Sequence, residues 1–377
     1  MKITRIKIYE VNLEFPEPIS ISYTTWNRIN NILVIVDTDV GLVGYGEAAP
    51  FKAITGDSQS ESLKFLNSFG RSLIGEDPSD LERIYSIFDS VSEKIGFISL
   101  TSMAAIDSAC YDIIGKMHGK PIYQVLGSDK PRLIPNTITI YLGSPEDTAQ
   151  KARNLIVQYE KEGLSRLKLK LSGDPKLDFE RVLLVAEVHS GEITLDANQA
   201  YSEPELAIDL FSRIYDELGS QVVLIEEPCP KKELSKLKQV TEESRIPIFA
   251  DESAATLEDI QTVVEQKAAR GVNLKLQKIG GIHQGLKASR LVSLENIQIM
   301  VGCMMEGGVS IAAGANFASG AENVSCTDLD TDLELRSDII TEDSRPPFTR
   351  GARIPSGKPG LGVELKNLTS SPLHTIE

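Results

Sequence analysis

The chain has 377 residues, of which 41% are hydrophobic and 25% are charged, and its formal net charge is -15. This length allows more than one buried core, and the acidic balance argues against nucleic acid or an anionic membrane as a partner. The sequence has no apolar run of about 18 residues, and its start, Met1-Lys-Ile-Thr-Arg5, lacks the apolar core of a signal peptide. We therefore expect a cytoplasmic protein.

Cysteines and histidines show no metal-site pattern. The four cysteines are far apart and mostly have apolar neighbours: Cys110, Cys229, Cys303 and Cys326. They are predicted to be buried free thiols. Neither they nor the four histidines have the spacing of a zinc site.

Residues 1–125 have the pattern of an α+β domain. Residues 3–9 and 31–37 alternate apolar and polar side chains as antiparallel strands do, and residues 41–47 continue after a turn. The stretch 99–118, rich in Ala, Ile and Met, predicts a helix.

Residues 126–340 alternate strand-like and helix-like segments, which favours an α/β fold with a parallel sheet. Eight strands are predicted, at residues 137–141, 166–171, 193–197, 222–227, 247–252, 272–276, 297–301 and 324–328. Segments such as 145–157 and 285–292 have helical spacing between them. We therefore predict a (β/α)8-type barrel after the α+β domain. The tail, residues 341–377, is rich in Pro and Gly and is expected to run back across the first domain.

Lys168-Leu-Lys170 lies in an alternating segment, so both lysines should point to the same face, away from the leucines. Repulsion between two adjacent ammonium groups would lower the pKa of one, which could then act as a base. The alternative is an exposed edge strand that carries basic side chains.

Charged residues recur at the ends of the predicted strands. They are Lys170, Asp196, Glu226, Asp251 and Lys275, separated by 24 to 30 residues. This is about the length of one strand and one returning helix. Because the carboxyl ends of barrel strands converge on one rim, we expect the five side chains to meet in one pocket.

Three of these side chains are carboxylates, which would repel one another unless a cation lay between them. An all-oxygen set suits Mg²⁺, so Asp196, Glu226 and Asp251 are predicted metal ligands. Their neighbours Asn198, Glu227 and Glu252 could hold the ligands or contact water on the metal. A lysine on each flank suggests proton transfer at a carbon next to a metal-bound carboxylate, through an enediolate.

The chain resembles the muconate lactonizing enzyme subgroup of the enolase superfamily. The resemblance covers nearly the whole chain and rests on residues 41–50, 107–116, 121–127, the KxK pair and residues 273–281. It implies an α+β capping domain before the barrel. It also implies Lys170 as the base with Lys168 beside it, Lys275 as the second acid/base, and the three carboxylates as Mg²⁺ ligands.

Asp328-Leu-Asp330, at the end of the eighth predicted strand, is similar to the DxD motif of dipeptide epimerases. In that family the pair binds the substrate's α-ammonium group, a charge-assisted contact. A simple turn is the alternative. The role of Asp332 is open, and Glu306 could orient the site or be structural.

Substrate preference is less defined by the sequence. The resemblance implies that a mobile capping-domain loop, residues 20–29, covers the substrate, with a second loop at residues 51–56. Arg28 is a candidate for binding a distal substrate carboxylate. Trp26 and Tyr23 could instead form an apolar pocket or pack between domains.

The preferred hypothesis is a Mg²⁺-dependent dipeptide epimerase that moves a proton at the alpha carbon of the C-terminal residue, in a chain expected to form a homo-oligomer. Alternatives in the same superfamily are an N-acylamino acid racemase, an o-succinylbenzoate synthase or a cycloisomerase, whose substrates lack a free α-ammonium. An alternative from another class is a Schiff-base aldolase on the same barrel.

Overall fold

The computed structural model describes residues 1–22, 24–368 and 370–377. It begins with three antiparallel strands, followed by five helices. The strands are β1 (Ile3–Ile21), β2 (Thr24–Thr38) and β3 (Val43–Ala48). The helices are α1 (Lys52–Thr55), α2 (Gln59–Leu73), α3 (Leu81–Ile95), α4 (Leu100–His118) and α5 (Ile122–Val125).

An alternation of strands and helices follows. The strands are β4 (Ile138–Ile140), β5 (Arg166–Lys170), β6 (Glu192–Asp196), β7 (Val222–Glu226), β8 (Ile248–Ala250), β9 (Gly271–Lys275), β10 (Gln298–Gly302) and β11 (Val324–Asp328). The helices are α6 (Pro145–Gln158), α7 (Pro175–Val188), α8 (Pro204–Leu218), α9 (Leu234–Glu243), α10 (Leu257–Gln266), α11 (Leu276–Ile279), α12 (Ile282–Ser293), α13 (Gly308–Gly320) and α14 (Thr331–Glu334).

Three short strands complete the chain: β12 (Phe348–Thr349), β13 (Ala352–Arg353) and β14 (His374–Ile376). Single 3₁₀ turns lie at Gly219–Gln221, Glu252–Ala254 and Glu342–Ser344. The last strand returns to the start of the chain, where Ile376 pairs with Ile6 in antiparallel register.

The eight strands β4 to β11 form one parallel sheet in sequential order. The sheet closes because Asn136 bridges Thr327 in parallel, and the amide of Thr137 donates to the Thr327 carbonyl at 2.9 Å. The predicted barrel fold is therefore confirmed. The predicted strand at 247–252 is shorter than expected, since the chain turns into a 3₁₀ helix directly after Asp251.

The side-chain alternation in β5 separates two environments. Leu167, Leu169 and Leu171 are fully buried in the main apolar core, while Lys168 and Lys170 line the cavity at the barrel mouth. The segment is thus an internal barrel strand, and the alternative of an exposed edge strand is wrong.

A second core lies between the N-terminal sheet and helices α2 to α4. The Gly-rich segment of β3 permits a very close approach to α4. A Cβ atom at Gly46 would lie 1.8 Å from the Ala105 carbonyl oxygen, and one at Gly44 would lie 2.2 Å from that of Ala109. These positions therefore exclude any side chain.

The loop expected at residues 20–29 is a β-hairpin in the structure, so that prediction was wrong. β1 continues to Ile21 and β2 begins at Thr24, with Ile19 paired to Trp26 in antiparallel register. Burial of the alternating side chains Ile19, Ile21 and Ile29 stabilises this hairpin, which a loop would leave exposed. Tyr23 lies outside the described residues.

Among the residues described, no helix is both long and apolar enough to span a membrane.

Candidate active site

Three buried carboxylates meet at the mouth of the barrel. Asp196 and Glu226 end β6 and β7 and are register partners, while Asp251 follows β8 directly. One oxygen from each residue lies within 4.8 Å of one oxygen from each of the others. At most 1% of each residue is exposed. The strand ends thus bring together the three carboxylates that the sequence singled out.

Lysines contact the same carboxylates from two sides. The Lys170 Nζ donates to Asp196 Oδ2 at 2.6 Å, and the Lys275 Nζ donates to Asp251 Oδ2 at 2.8 Å. β5 and β9 are four strands apart in a closed sheet of eight, so they face each other across the barrel. The two ammonium groups therefore reach the site from opposite walls.

Lys168 lies among three acids, and its raised pKa shows that it is not the lysine of the pair whose pKa would be lowered. Its Nζ is 2.5 Å from Asp328 Oδ2, 3.1 Å from Glu226 Oε1 and 3.3 Å from Asp196 Oδ2. Burial acts to lower the pKa of Lys168, but the attraction of these carboxylates outweighs it and raises the pKa well above its usual range. This environment therefore favours the ammonium form of Lys168.

The three carboxylates differ in electrostatic environment. Burial and the neighbouring carboxylates raise the pKa of Glu226 to about 8, although Lys168 opposes this. In Asp251, burial is outweighed by Lys275 and Lys278, which hold the pKa of this carboxyl well below its usual range. The Oε1 atom of Glu226 accepts no hydrogen bond from the described residues. This buried oxygen, whose one described ionic contact is the Lys168 ammonium at 3.1 Å, and the all-oxygen donor set fit a hard divalent cation.

Two contributors to the site were missed in the sequence. The Lys278 Nζ donates to Asp251 Oδ1 at 2.6 Å, and the Asn273 Nδ2 donates to Glu226 Oε2 at 2.6 Å. Asn273 lies two residues before Lys275 in the same strand, so alternation alone could have placed it on the inner face. Lys278 is in the short helix α11, where the strand period no longer applies.

The neighbours of the carboxylates have separate partners. Glu227 accepts hydrogen bonds from the amides of Asp251, at 2.7 Å, and Ser253, at 3.0 Å, and so holds the chain after β8. Glu252 accepts from Asn198 Nδ2 at 3.3 Å, and its Oε2 atom is buried without a described partner.

A cavity lies above the carboxylates and between the two catalytic candidates, Lys170 and Lys275. Its polar lining includes Lys168, Asn198, Asp328, Asp330 and Thr331, and its apolar lining includes Ile21, Trp26, Phe51, Ile54, Met304 and Met305. The rings of Trp26 and Phe51 make an edge contact with centroids 5.1 Å apart. Apolar side chains from the N-terminal sheet and the segment after it therefore cover a charged floor.

The two acids of the DxD motif are both in the cavity wall. Asp328 Oδ1 accepts from the Thr137 hydroxyl at 2.8 Å, and its Oδ2 pairs with Lys168. Asp330 Oδ2 accepts from the Thr139 amide at 2.8 Å. Burial and Asp328 raise the pKa of Asp330 to about 6.

Other candidates lie outside this cavity. Arg28 is exposed on β2 and is not part of the lining. Glu306 accepts hydrogen bonds from the Met304 amide and the Ser310 hydroxyl, behind the cavity wall. Asp332 pairs with Arg353 at 2.7 Å, which gives it a structural contact. The four cysteines are free and buried, as predicted.

Comparison with known proteins identifies the family. Residues 3–127 match the mandelate racemase/muconate lactonizing enzyme N-terminal domain, and residues 148–369 match the enolase C-terminal domain-like family. The chain belongs to the enolase superfamily. The predicted resemblance to its mandelate racemase/muconate lactonizing enzyme branch is thereby confirmed.

Relatives in this superfamily include isomerases of amino acid derivatives. The chain is 32% identical to an L-Ala-D/L-Glu epimerase of Clostridium acetobutylicum, over 97% of this chain and 99% of the relative. The structure of a dipeptide epimerase from Enterococcus faecalis, complexed with Mg and L-Leu-L-Tyr, has a TM-score of 0.88 and 30% identity, and covers 96% of this chain and 99% of that one.

The structure of an N-succinyl Arg/Lys racemase from Bacillus cereus has a TM-score of 0.90 and 27% identity, and covers 100% of this chain and 99% of that one. Because these relatives are named epimerases and racemases, they confirm the predicted enzyme class, isomerase.

Proposed function

We propose that this member of the enolase superfamily is a Mg²⁺-dependent dipeptide epimerase that inverts the alpha carbon of the C-terminal residue. The observation that carries the proposal is the position of four side chains around one cavity. Lys170 and Lys275 come from facing strands, and Asp328 and Asp330 lie together on the wall beside them. This arrangement provides two proton-transfer groups and a binding site for an ammonium group.

Asp196, Glu226 and Asp251 would hold the Mg²⁺ ion. When bound, the ion supplies positive charge that stabilises the negative charge developing on the substrate carboxylate as the alpha proton leaves. The surrounding protein keeps two of these ligands in place, since Asn273 binds one oxygen of Glu226 and Lys278 binds one oxygen of Asp251.

The two lysines carry out the proton transfer. One neutral lysine removes the proton from one face of the alpha carbon, and the ammonium of the other donates a proton to the opposite face. Their places on facing strands make inversion the expected outcome, because a single base would return the proton to the side it came from. Lys168 stays charged beside them and contributes a fixed positive potential.

Asp328 and Asp330 would bind the free α-ammonium of the N-terminal residue. Their positions are fixed by hydrogen bonds from Thr137 and Thr139, so no rearrangement of the carboxylates is needed. Since Lys168 already pairs with Asp328, much of the attraction for the ammonium comes from Asp330.

The apolar cover favours an apolar side chain at the epimerised residue. In the proposed binding mode, the substrate carboxylate lies at the metal site and the N-terminal residue lies at Asp330. The side chain of the epimerised residue would then face Trp26, Phe51 and Ile54. No arginine lies in the described lining of this cavity to bind a distal carboxylate.

A second candidate is an N-acylamino acid racemase, favoured by the overall similarity to the Bacillus cereus enzyme and by the Lys168–Asp328 pair, which reduces the negative charge of the wall. A dipeptide library and matched N-succinyl and N-acetyl amino acids, incubated in deuterated water and read by mass spectrometry, distinguish the two. The epimerase proposal expects deuterium at the alpha carbon of the C-terminal residue in free dipeptides. Exchange confined to the N-acylated compounds would instead show that the protein is an N-acylamino acid racemase.

A further inference from the structure

A second cavity adjoins the first on the outer side of β4. Its volume is about 650 Å³, and it lies between α6, the outer face of β4 and the segment after β11. Tyr141 and Asp330 line both cavities. Asp330, which faces the substrate's ammonium in the proposed function, therefore also lines the second cavity.

Residues 15–19 of β1 form the roof of the second cavity, at a point where the pairing of β1 with β2 is irregular. The pairing register with β2 shifts between Glu14 and Ile19, where Pro16 and Pro18 have no amide hydrogen to donate. Arg336 secures the roof: its amide donates to the Glu14 carbonyl at 2.9 Å, and its guanidinium donates to the carbonyls of Phe15 and Pro16 at 3.2 and 3.0 Å. The space is thus built into the fold.

The walls combine an apolar surface with four acids, of which Glu17 and Asp147 are exposed and Asp330 and Glu334 are more buried. Apolar side chains line the inner part: Phe15, Ile138, Ile140, Leu155, Leu333 and Leu335. The carboxyl of Glu334 lies among them without a hydrogen bond from the described residues, and burial and Asp330 raise its pKa to about 8. Lys151 on α6 lines the same cavity, lowers that pKa, and forms no ion pair with Glu334 among the described residues.

The two more buried acids of the second cavity are close in sequence and could serve the two ammonium groups of one ligand. Asp330 is the N-cap of α14 and Glu334 is its last residue, and both line the second cavity. Lysine carries its ammonium on an apolar four-carbon stem. Such a side chain would cover the apolar wall with its stem and place its charge at Glu334.

We infer that the second cavity binds the side chain of the substrate's N-terminal residue and that Glu334 makes it prefer lysine or arginine there. This inference rests on the proposed function, because it takes the α-ammonium to be at Asp330. The preferred substrates are then dipeptides with a basic N-terminal residue and an apolar C-terminal residue.

The test compares Lys-Leu with norleucine-Leu, which has the same stem without the amine, and with Ala-Leu. For the wild-type holoenzyme with Mg²⁺, kcat/KM for Lys-Leu should exceed that for norleucine-Leu by about 10-fold or more, as expected for a charge-assisted contact. In Glu334→Gln this ratio should fall to about 1. In Lys151→Gln, which removes a competing cation, the ratio should rise.

Glu217→Gln, an exposed change on α8 away from both cavities, should keep the wild-type ratio. Each ratio is measured within one variant, so a partly unfolded preparation does not mimic the result, and the wild-type and Lys151→Gln ratios decide the question if Glu334→Gln fails to fold. Epimerisation of Ala-Leu and norleucine-Leu without a preference for Lys-Leu would overturn the subsite and leave the proposed function standing. If no dipeptide is epimerised at all, both fail.

Discussion

Lys170 and Lys275 reach one cavity from strands that face each other across the barrel, and each is paired with a different carboxylate of the proposed metal site. The Lys170 Nζ lies 2.6 Å from Asp196, and the Lys275 Nζ lies 2.8 Å from Asp251. Because the two proposed bases and the proposed metal ligands are in direct contact, metal binding and proton transfer are expected to depend on the same few charges.

Removal of the metal should abolish activity. Treatment with EDTA should stop epimerisation and excess Mg²⁺ should restore it. Asp251→Asn should weaken Mg²⁺ binding at least ~10-fold in calorimetry, because a charged ligand is lost and two buried lysines lose their partner. Asp209→Asn, an exposed change on α8, should leave the affinity unaltered. Full activity in excess chelator would exclude the metal site.

Lys170 and Lys275 should both be needed to interconvert the two epimers. One of them alone should still exchange the alpha proton of one epimer. Lys170→Ala and Lys275→Ala should each reduce epimerisation by at least ~100-fold, the usual size of a general acid–base effect. In deuterated water each variant should still exchange the alpha proton of one epimer only. Near wild-type epimerisation by either variant would show that one base suffices.

The two acids of the DxD motif should select a free N-terminus. N-acetylation of a good dipeptide substrate should lower kcat/KM strongly, since it removes the charge that Asp328 and Asp330 are proposed to bind. The double variant Asp328→Asn/Asp330→Asn should lose most of this discrimination. Equal turnover of free and acetylated dipeptides by the wild type would favour the N-acylamino acid racemase.

The aromatic cover should matter for apolar substrates, whereas the neighbouring arginine should not. Trp26→Ala should raise KM for dipeptides with a large apolar C-terminal residue, because the ring lines the cavity. Arg28→Ala, on the same strand but exposed, serves as its matched control and should leave KM within about twofold. A larger effect at Arg28 than at Trp26 would reverse this assignment.

A buried acid between the N-terminal sheet and the barrel should give a pH-dependent stability. Glu47 accepts hydrogen bonds from Asn31 and from the amides of Gly307 and Ser310, and burial, with Asp338, raises its pKa to about 8. The folded state thus holds a proton that the unfolded state releases near pH 4.5, so stability is lost as pH rises from about 4.5 to about 8.

Glu47→Gln removes this dependence. Relative to the wild type, its free energy of unfolding should rise steadily between pH 5 and pH 8 and then level off, with a total change on the order of a few kcal/mol. Its melting temperature, which is the measured quantity, should follow the same trend. Glu10→Gln, an exposed change on β1, should show no such trend. A difference between Glu47→Gln and wild type that stays constant with pH would contradict the raised pKa.

Local periodicity was enough to predict the barrel. The alternation around Lys168 and the recurrence of acids at strand ends reflect a repeating βα unit, and the structure has all eight strands close to their predicted positions. Long-range pairings left no such signal. Ile6 pairs with Ile376, and Arg336 binds the carbonyls of β1, contacts that depend on packing of the whole chain.

The family resemblance implied a loop between Ser20 and Ile29, but the buried, alternating isoleucines make it a hairpin. The exposed position of Arg28 followed from that hairpin and could not be predicted without it. The pKa of Lys168 depends on three carboxylates from other strands, so its adjacency to Lys170 in the sequence could not give the direction of its shift. Side-chain environment, unlike strand position, is set by residues distant in sequence.

Proton transfer between the two faces of one alpha carbon can be followed by isotope incorporation. One diastereomer of a dipeptide such as Lys-Leu is incubated with the Mg²⁺-loaded enzyme in deuterated water, and product and substrate are separated and read by mass spectrometry and NMR. The account predicts that the other diastereomer appears with one deuterium at the alpha carbon of the C-terminal residue. Formation of the other diastereomer without deuterium there, or recovery of every dipeptide unchanged and unlabelled, would contradict it.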